Sequence, residues 1–239
     1  MLFRSHIGIG VLCAITMIPL AFALRRRPPV LQLGTATPRA TQMQAMLGLS
    51  PTALQMLLSI AGFACCVAMS MPQVHIVAYC SDLGYGVSRG AQMLSLMLGL
   101  GIVSRIGSGF FADRFGGLPT LLAGSAAQML ALLLYLGFSG LTSLYVISAL
   151  FGLFQGGIIP SYALIVREYF APKEAGTRVG IVLMASLFGM ALGGWMSGYI
   201  FDVSGSYRAA FLNGLGWNFI NGAIVLWLLS RRRSPLAFA

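Results

Sequence analysis

The sequence predicts an all-α membrane protein with seven transmembrane helices, the last six forming two inverted three-helix repeats. Three observations carry this. Of 239 residues, 58% are hydrophobic and 8% are charged, where a soluble domain carries roughly 25% charged residues. The charges present are grouped, with Arg25-Arg26-Arg27 and Arg231-Arg232-Arg233 each directly following an uncharged apolar run, as at the flanks of membrane spans. A short glycine-and-aspartate string also recurs 89 residues apart.

A helix needs about 20 apolar residues to cross a ~30 Å hydrocarbon core, and seven stretches qualify. The first is Ile7 to Leu24. Its arginines follow the apolar run, where a secretory signal would place them before it. Residues 25–50, with Pro28, Pro29 and Pro38 among several Thr and Gln, read as a linker. The chain thus divides into a single span (1–24), a cytoplasmic linker (25–50) and a six-helix bundle (51–239). The bundle spans are Pro51 to Cys80, Ala91 to Ala112, Leu118 to Phe138, Leu141 to Val166, Val179 to Phe201 and Ala209 to Ser230. The run from Phe115 to Val166 has no charge over 52 residues, ~78 Å as one helix. It must fold back, and Gly137-Phe138-Ser139-Gly140 is the turn.

Alternating the loops puts eleven basic residues on one side, against Arg4, Arg89 and Arg208 on the other. The richer side is expected in the cytoplasm of a plasma membrane, with the N-terminus outside and the C-terminus inside. Net charge is +10, but no basic stripe interleaved with aromatics points to nucleic acid. Cys13, Cys65, Cys66 and Cys80 lie in apolar stretches without metal-ligand spacing, so no metal or cofactor is expected.

Gly109-Phe110-Phe111-Ala112-Asp113 is followed by Gly116, and Gly198-Tyr199-Ile200-Phe201-Asp202 by Gly205. Each copy ends the middle helix of a triplet. Because three is odd, the triplets enter the membrane from opposite faces, as in the inverted repeats of many secondary transporters. Within the first copy, Asp113 and Arg114 could latch helix ends by charge-assisted hydrogen bonds and bias one access state.

The string from Gly109 through Asp113, Arg114, Phe115 and Gly116 to Gly117 resembles the G-x-x-x-D-R-x-G loop motif of the major facilitator superfamily, and its position fits the second half of that fold. The resemblance implies a C-terminal bundle preceded by the last helix of an N-terminal half. Five of the family's twelve helices lie outside the sequence. It also implies a partial transporter, a truncated product or half of an assembly, with the missing half as partner.

Arg105 lies eight residues before Asp113, about 12 Å into the membrane. Burying it costs at least ~2.5–3.5 kcal/mol on insertion scales. Gly101, Gly109 and Ser108 make its helical face small, which suits a bundle interior. A permanent bidentate donor there suits a carboxylate. It could equally pair with backbone carbonyls or another helix and fix the fold. Its position resembles the eighth-helix arginine that binds substrate carboxylate in monocarboxylate and oxalate:formate carriers. The resemblance is partial: Gly101 stands where monocarboxylate carriers place an aspartate, and the sixth span has no counterpart of the oxalate carrier's lysine. One cation fits a monoanion better than a dianion.

His75, beside Tyr79 near the outer end of the second span, is the intramembrane imidazole, able to carry a coupling proton or simply to hydrogen-bond inside the bundle. Tyr162 and Asn218 could line a cavity. Glycine rows Gly152-Gly156-Gly157 and Gly189-Gly193-Gly194 permit close helix contact, and Pro160 can break the fifth span.

Two motifs fail on context. Gly107-Ser108-Gly109-Phe110-Phe111-Ala112 matches a dinucleotide turn but sits inside an apolar helix. Gly86-Val87-Ser88-Arg89-Gly90 matches a nucleophile elbow, yet no strand precedes it and Ser88 is expected to N-cap a membrane helix. An enzyme is therefore not expected. The expectation is alternating-access transport of a small organic anion, a monocarboxylate with a proton, across a lipid bilayer. The alternatives are export of drugs or other apolar solutes, and a non-transporting interaction subunit or truncated remnant.

Overall fold

The computed structural model describes residues 2–23, 43 and 47–232. Most of the expected linker therefore lies outside the described residues. The helices are α1 (Leu2–Ala23), α2 (Pro51–Asp82), α3 (Val87–Phe115), α4 (Gly117–Gly137), α5 (Leu141–Gln155), α6 (Ile158–Tyr169), α7 (Pro172–Ser204) and α8 (Tyr207–Arg231). No strand occurs among the described residues. The chain forms two units, one holding α1 and the other holding α2 to α8.

Within α1 the apolar stretch is Gly10–Phe22, with Val11, Leu12, Ile15, Ile18 and Phe22 exposed on successive faces. A helix apolar all round suits lipid better than water. In the second unit six helices are long and apolar enough to cross a membrane, α5 and α6 counting as the single span Leu141–Tyr169. They coincide with the six predicted bundle spans. Several overrun the apolar runs, because polar end residues still favour helix in water. α7 begins at Pro172, and its first turns carry the Arg178–Glu174 ion pair at 2.7 Å. With 33 residues it is about 50 Å long and projects past the hydrocarbon.

Local signals explain most ends. Ser50 caps α2 by accepting the Ala53 N–H at 3.2 Å, with Pro51 at the first helical position. Gly137 ends α4 and Gly140 precedes α5, as the predicted turn requires. The entry to α3 differs from expectation. Ser88 is already helical, and the cap is Gly86 at φ +83° with no side-chain hydrogen bond. The extended positive-φ entry is open to glycine and closed to serine.

The repeat is visible in the backbone. The Gly116 N–H donates to the Ala112 carbonyl at 2.8 Å and the Gly205 N–H to the Phe201 carbonyl at 2.7 Å, at φ +89° and +65°. These acceptors occupy equivalent places in the two copies. Packing follows the same exchange. α2 lies on α7 and α3 on α5, each triplet's first helix meeting the other's middle helix, while α4 meets α8. A two-fold axis in the membrane plane produces this pattern. Both crossings are glycine-mediated. Gly189 and Gly193 abut the Phe63 and Val67 carbonyls, and Gly152 and Gly156 abut those of Met97 and Gly101.

The fifth span is broken at Gly156-Gly157. Pro160 has no N–H for the Gly156 carbonyl, so the ladder lapses there. Ser161 re-anchors the next turn, its hydroxyl donating to the Gly157 carbonyl at 2.7 Å.

Candidate functional site

The break in the fifth span faces α3. Gly157, Pro160 and Ser161 from one side, and Arg105, Ser108 and Asp113 from the other, line a cavity of about 290 Å³. Arg105 is exposed, as are its neighbours Ile102, Val103, Ile106 and Phe110. Ser108 turns its hydroxyl to the Arg105 backbone carbonyl at 3.0 Å. Among the described residues no carboxylate lies within ion-pair distance of the Arg105 guanidinium. A forked cation beside a cavity within an apolar span has the chemistry to hold a planar oxyanion.

Further along α3 the motif glycine Gly116 ends the helix, and α4 begins at once. The first N–H groups of α4 have no partner within their own helix. Glu168 on α6 supplies one: its carboxylate accepts the Gly117 N–H at 3.1 and 3.3 Å, where the helix dipole favours negative charge. The helix end is thus held by Glu168, while Asp113 and Arg114 are exposed and Arg114 lies over the Phe115 ring at 5.9 Å. Glu168 is not among the residues singled out from the sequence, and its one local signal is a rare acid just past an apolar run. Asp113, Arg114, Gly116, Arg167, Glu168 and Arg232 line a second cavity of about 620 Å³.

The remaining predicted residues are dispersed. The His75 Nε2 donates to the Gly194 carbonyl at 2.9 Å, and a Cβ on Gly198 would stand 3.4 Å from the His75 ring. Tyr79 meets Tyr207 and Phe211 edge-on, at 5.2 and 5.7 Å between ring centres. It lines a cavity of about 610 Å³ with Asp82, Tyr135 and Arg208, at the end opposite Arg167. Tyr207 joins the two, since His75 lies 6.2 Å from the same ring. Asp202 is exposed near Gly205. Tyr162 is wholly buried and donates to Asn221 Oδ1 at 2.7 Å.

That last bond belongs to an interior network. Asn221 Nδ2 donates to the Ser125 hydroxyl at 3.0 Å. Asn218 accepts from the same hydroxyl at 3.3 Å and donates to the Ser125 carbonyl at 2.9 Å. Asn218 therefore braces α8 on α4. The Gln73–Gln155 bond at 2.9 Å likewise ties α2 to the end of α5. The i, i+3 spacing of Asn218 and Asn221 placed them on one helix face, but their partners are about 60 to 95 positions away.

Six apolar spans arranged as an exchanged pair of triplets define an integral membrane protein with an inverted-repeat bundle. Residues 108–238 match the Major Facilitator Superfamily model, more than half of the chain, and the chain belongs to that family. It is 29% identical over 144 residues to monocarboxylate transporter 13 of Rattus norvegicus, covering 59% of this chain and 34% of that protein. It is 26% identical over 167 residues to a probable chloroplastic anion transporter 4 of Arabidopsis thaliana, covering 68% of this chain and 30% of that one. The chain thus spans about a third of the length of these curated relatives. The crystal structure of the superfamily transporter FucP in its outward conformation is similar in fold, with a TM-score of 0.68 at 17% identity over 94% of this chain and 54% of that one.

Proposed function

We propose that the chain is the C-terminal part of a secondary transporter for a small organic anion, with Arg105 as the carboxylate contact. Residues 1–24 would be the last helix of an N-terminal half and 25–50 the central cytoplasmic linker, in a plasma membrane with the C-terminus inside. Substrate would pass beside Arg105 as this bundle rocks against the other half. The observation that carries the reading is Arg105 itself: an exposed guanidinium in an apolar span, beside a cavity, with no carboxylate within ion-pair distance among the described residues. Such a charge persists at membrane depth where it faces a cavity or a partner. The relatives named for monocarboxylates and anions support the same substrate class. His75 is the group proposed to carry a proton. Its Nε2 donates to the Gly194 carbonyl, which leaves Nδ1 as the ring nitrogen open to another partner.

Uptake of labelled pyruvate into vesicles tests the reading. Arg105→Ala is expected to lower uptake ~10-fold or more, equivalent to about 1.4 kcal/mol of binding, with Arg105→Lys intermediate because it keeps charge but not the fork. Equal uptake by wild type and Arg105→Ala removes the arginine from the mechanism. The same assay across pH reads the proton: His75→Gln should flatten the pH response, and an unchanged profile excludes His75.

A further inference from the structure

We propose that Arg114, Arg167 and Arg232 form an oxyanion-binding vestibule at the basic end of the bundle, continuous with the groove beside Arg105. The two cavities at this end, about 290 and 620 Å³, share Ala112, Asp113, Leu164 and Arg167 along their common wall. Arg167 thus belongs to both, and a track of cations runs from Arg105 through Arg167 to Arg114 and Arg232.

Charge accounting favours an anion there. Among the described residues three arginines and two acids line the larger cavity, and the Glu168 carboxylate accepts the Gly117 N–H at the start of α4, where the helix dipole favours its charge. Asp113 makes no ion pair with any of the three arginines. The cavity at the opposite end carries one charge of each sign, Asp82 and Arg208. Arg114 and Arg167 occupy the last turns of α3 and α6, and Arg232 follows the end of α8. Topology signals and helix-dipole matching account for a cation at each of these ends. Neither requires all three to converge on one cavity.

The recognised chemistry is a carboxylate or phosphate oxyanion held by guanidinium forks. A soluble organic acid would present it on its way to Arg105, and an anionic lipid headgroup would present it from the bilayer surface. Passage of a substrate through this cavity rests on the transport reading, whereas anion binding there can be measured without transport.

The test uses the purified full chain with two probes: labelled pyruvate in equilibrium dialysis, and phosphatidylglycerol titrated into neutral-lipid nanodiscs and read by thermal unfolding. Arg167→Gln/Arg232→Gln is expected to weaken at least one probe ~10-fold. Arg167→Lys/Arg232→Lys should retain most of the binding, and gel filtration should show both proteins monodisperse. Raising salt from about 0.02 to about 0.2 M should weaken binding in wild type. A pyruvate response identifies a soluble acid as the occupant; a response to phosphatidylglycerol alone identifies a headgroup. If neither probe distinguishes the monodisperse glutamine variant from wild type, the vestibule is overturned. Failure of the transport reading looks different: uptake would ignore Arg105→Ala while Arg167-dependent binding persisted.

Discussion

At the residue scale, Gly116 and Gly205 hold equivalent places in the repeat but different backbone conformations, and this separates two kinds of glycine requirement. Gly205 is left-handed at φ +65°, ψ +14°, with open space around it. Gly116 is at φ +89°, ψ +171°, a region essentially restricted to glycine. Asparagine tolerates the left-handed well but not the other. Gly205→Ala is therefore expected to cost about 1–2 kcal/mol and Gly205→Asn much less, whereas Gly116→Ala and Gly116→Asn should each cost about 1–3 kcal/mol. Thermal unfolding of the four variants in detergent checks this. If asparagine rescues both positions equally, the two turns do not differ as described.

At the element scale, the helices and their order were legible because a bilayer imposes one length and one composition on every span. The turn at Gly137 to Gly140 and the recurrence ending at Gly116 and Gly205 were equally local. The break at Gly156-Gly157 was half legible: Pro160 announced a fault, but the fault falls at the carbonyl it leaves unpaired. The glycine crossings were visible as rows, and the structure adds what each row meets. Gly189 abuts the Phe63 carbonyl, while Gly180, on the same helix, has nothing within 4 Å. Gly189→Ala should force α2 and α7 apart and cost about 1–3 kcal/mol. Gly180→Ala should be neutral, or stabilising by up to about 1 kcal/mol through helix propensity. Equal effects in chemical unfolding would mean that this crossing is not set by backbone contact.

At the scale of the whole molecule, polar groups divide between those that brace the bundle and those that face outward, and sequence pattern does not distinguish them. Arg105 and Tyr162 both appeared as isolated polar side chains in apolar spans. Arg105 is exposed beside a cavity, while Tyr162 is buried with its hydroxyl on Asn221, inside the network that ties α4, α6 and α8 together. Which face a side chain takes depends on helix rotation, and that is decided by packing across the repeat, where contacts are remote in sequence. The division has a consequence that kinetics can read. Tyr162→Phe removes one hydroxyl without changing shape and leaves Asn221 Oδ1 short of a donor, at a cost of about 0.6–1.7 kcal/mol by the scale of interhelical hydrogen bonds in membranes. As a bracing residue it should lower thermal stability with KM for pyruvate uptake unchanged, while Arg105→Ala should raise KM and leave stability near wild type. A raised KM in Tyr162→Phe at unchanged stability would instead place the tyrosine beside the substrate.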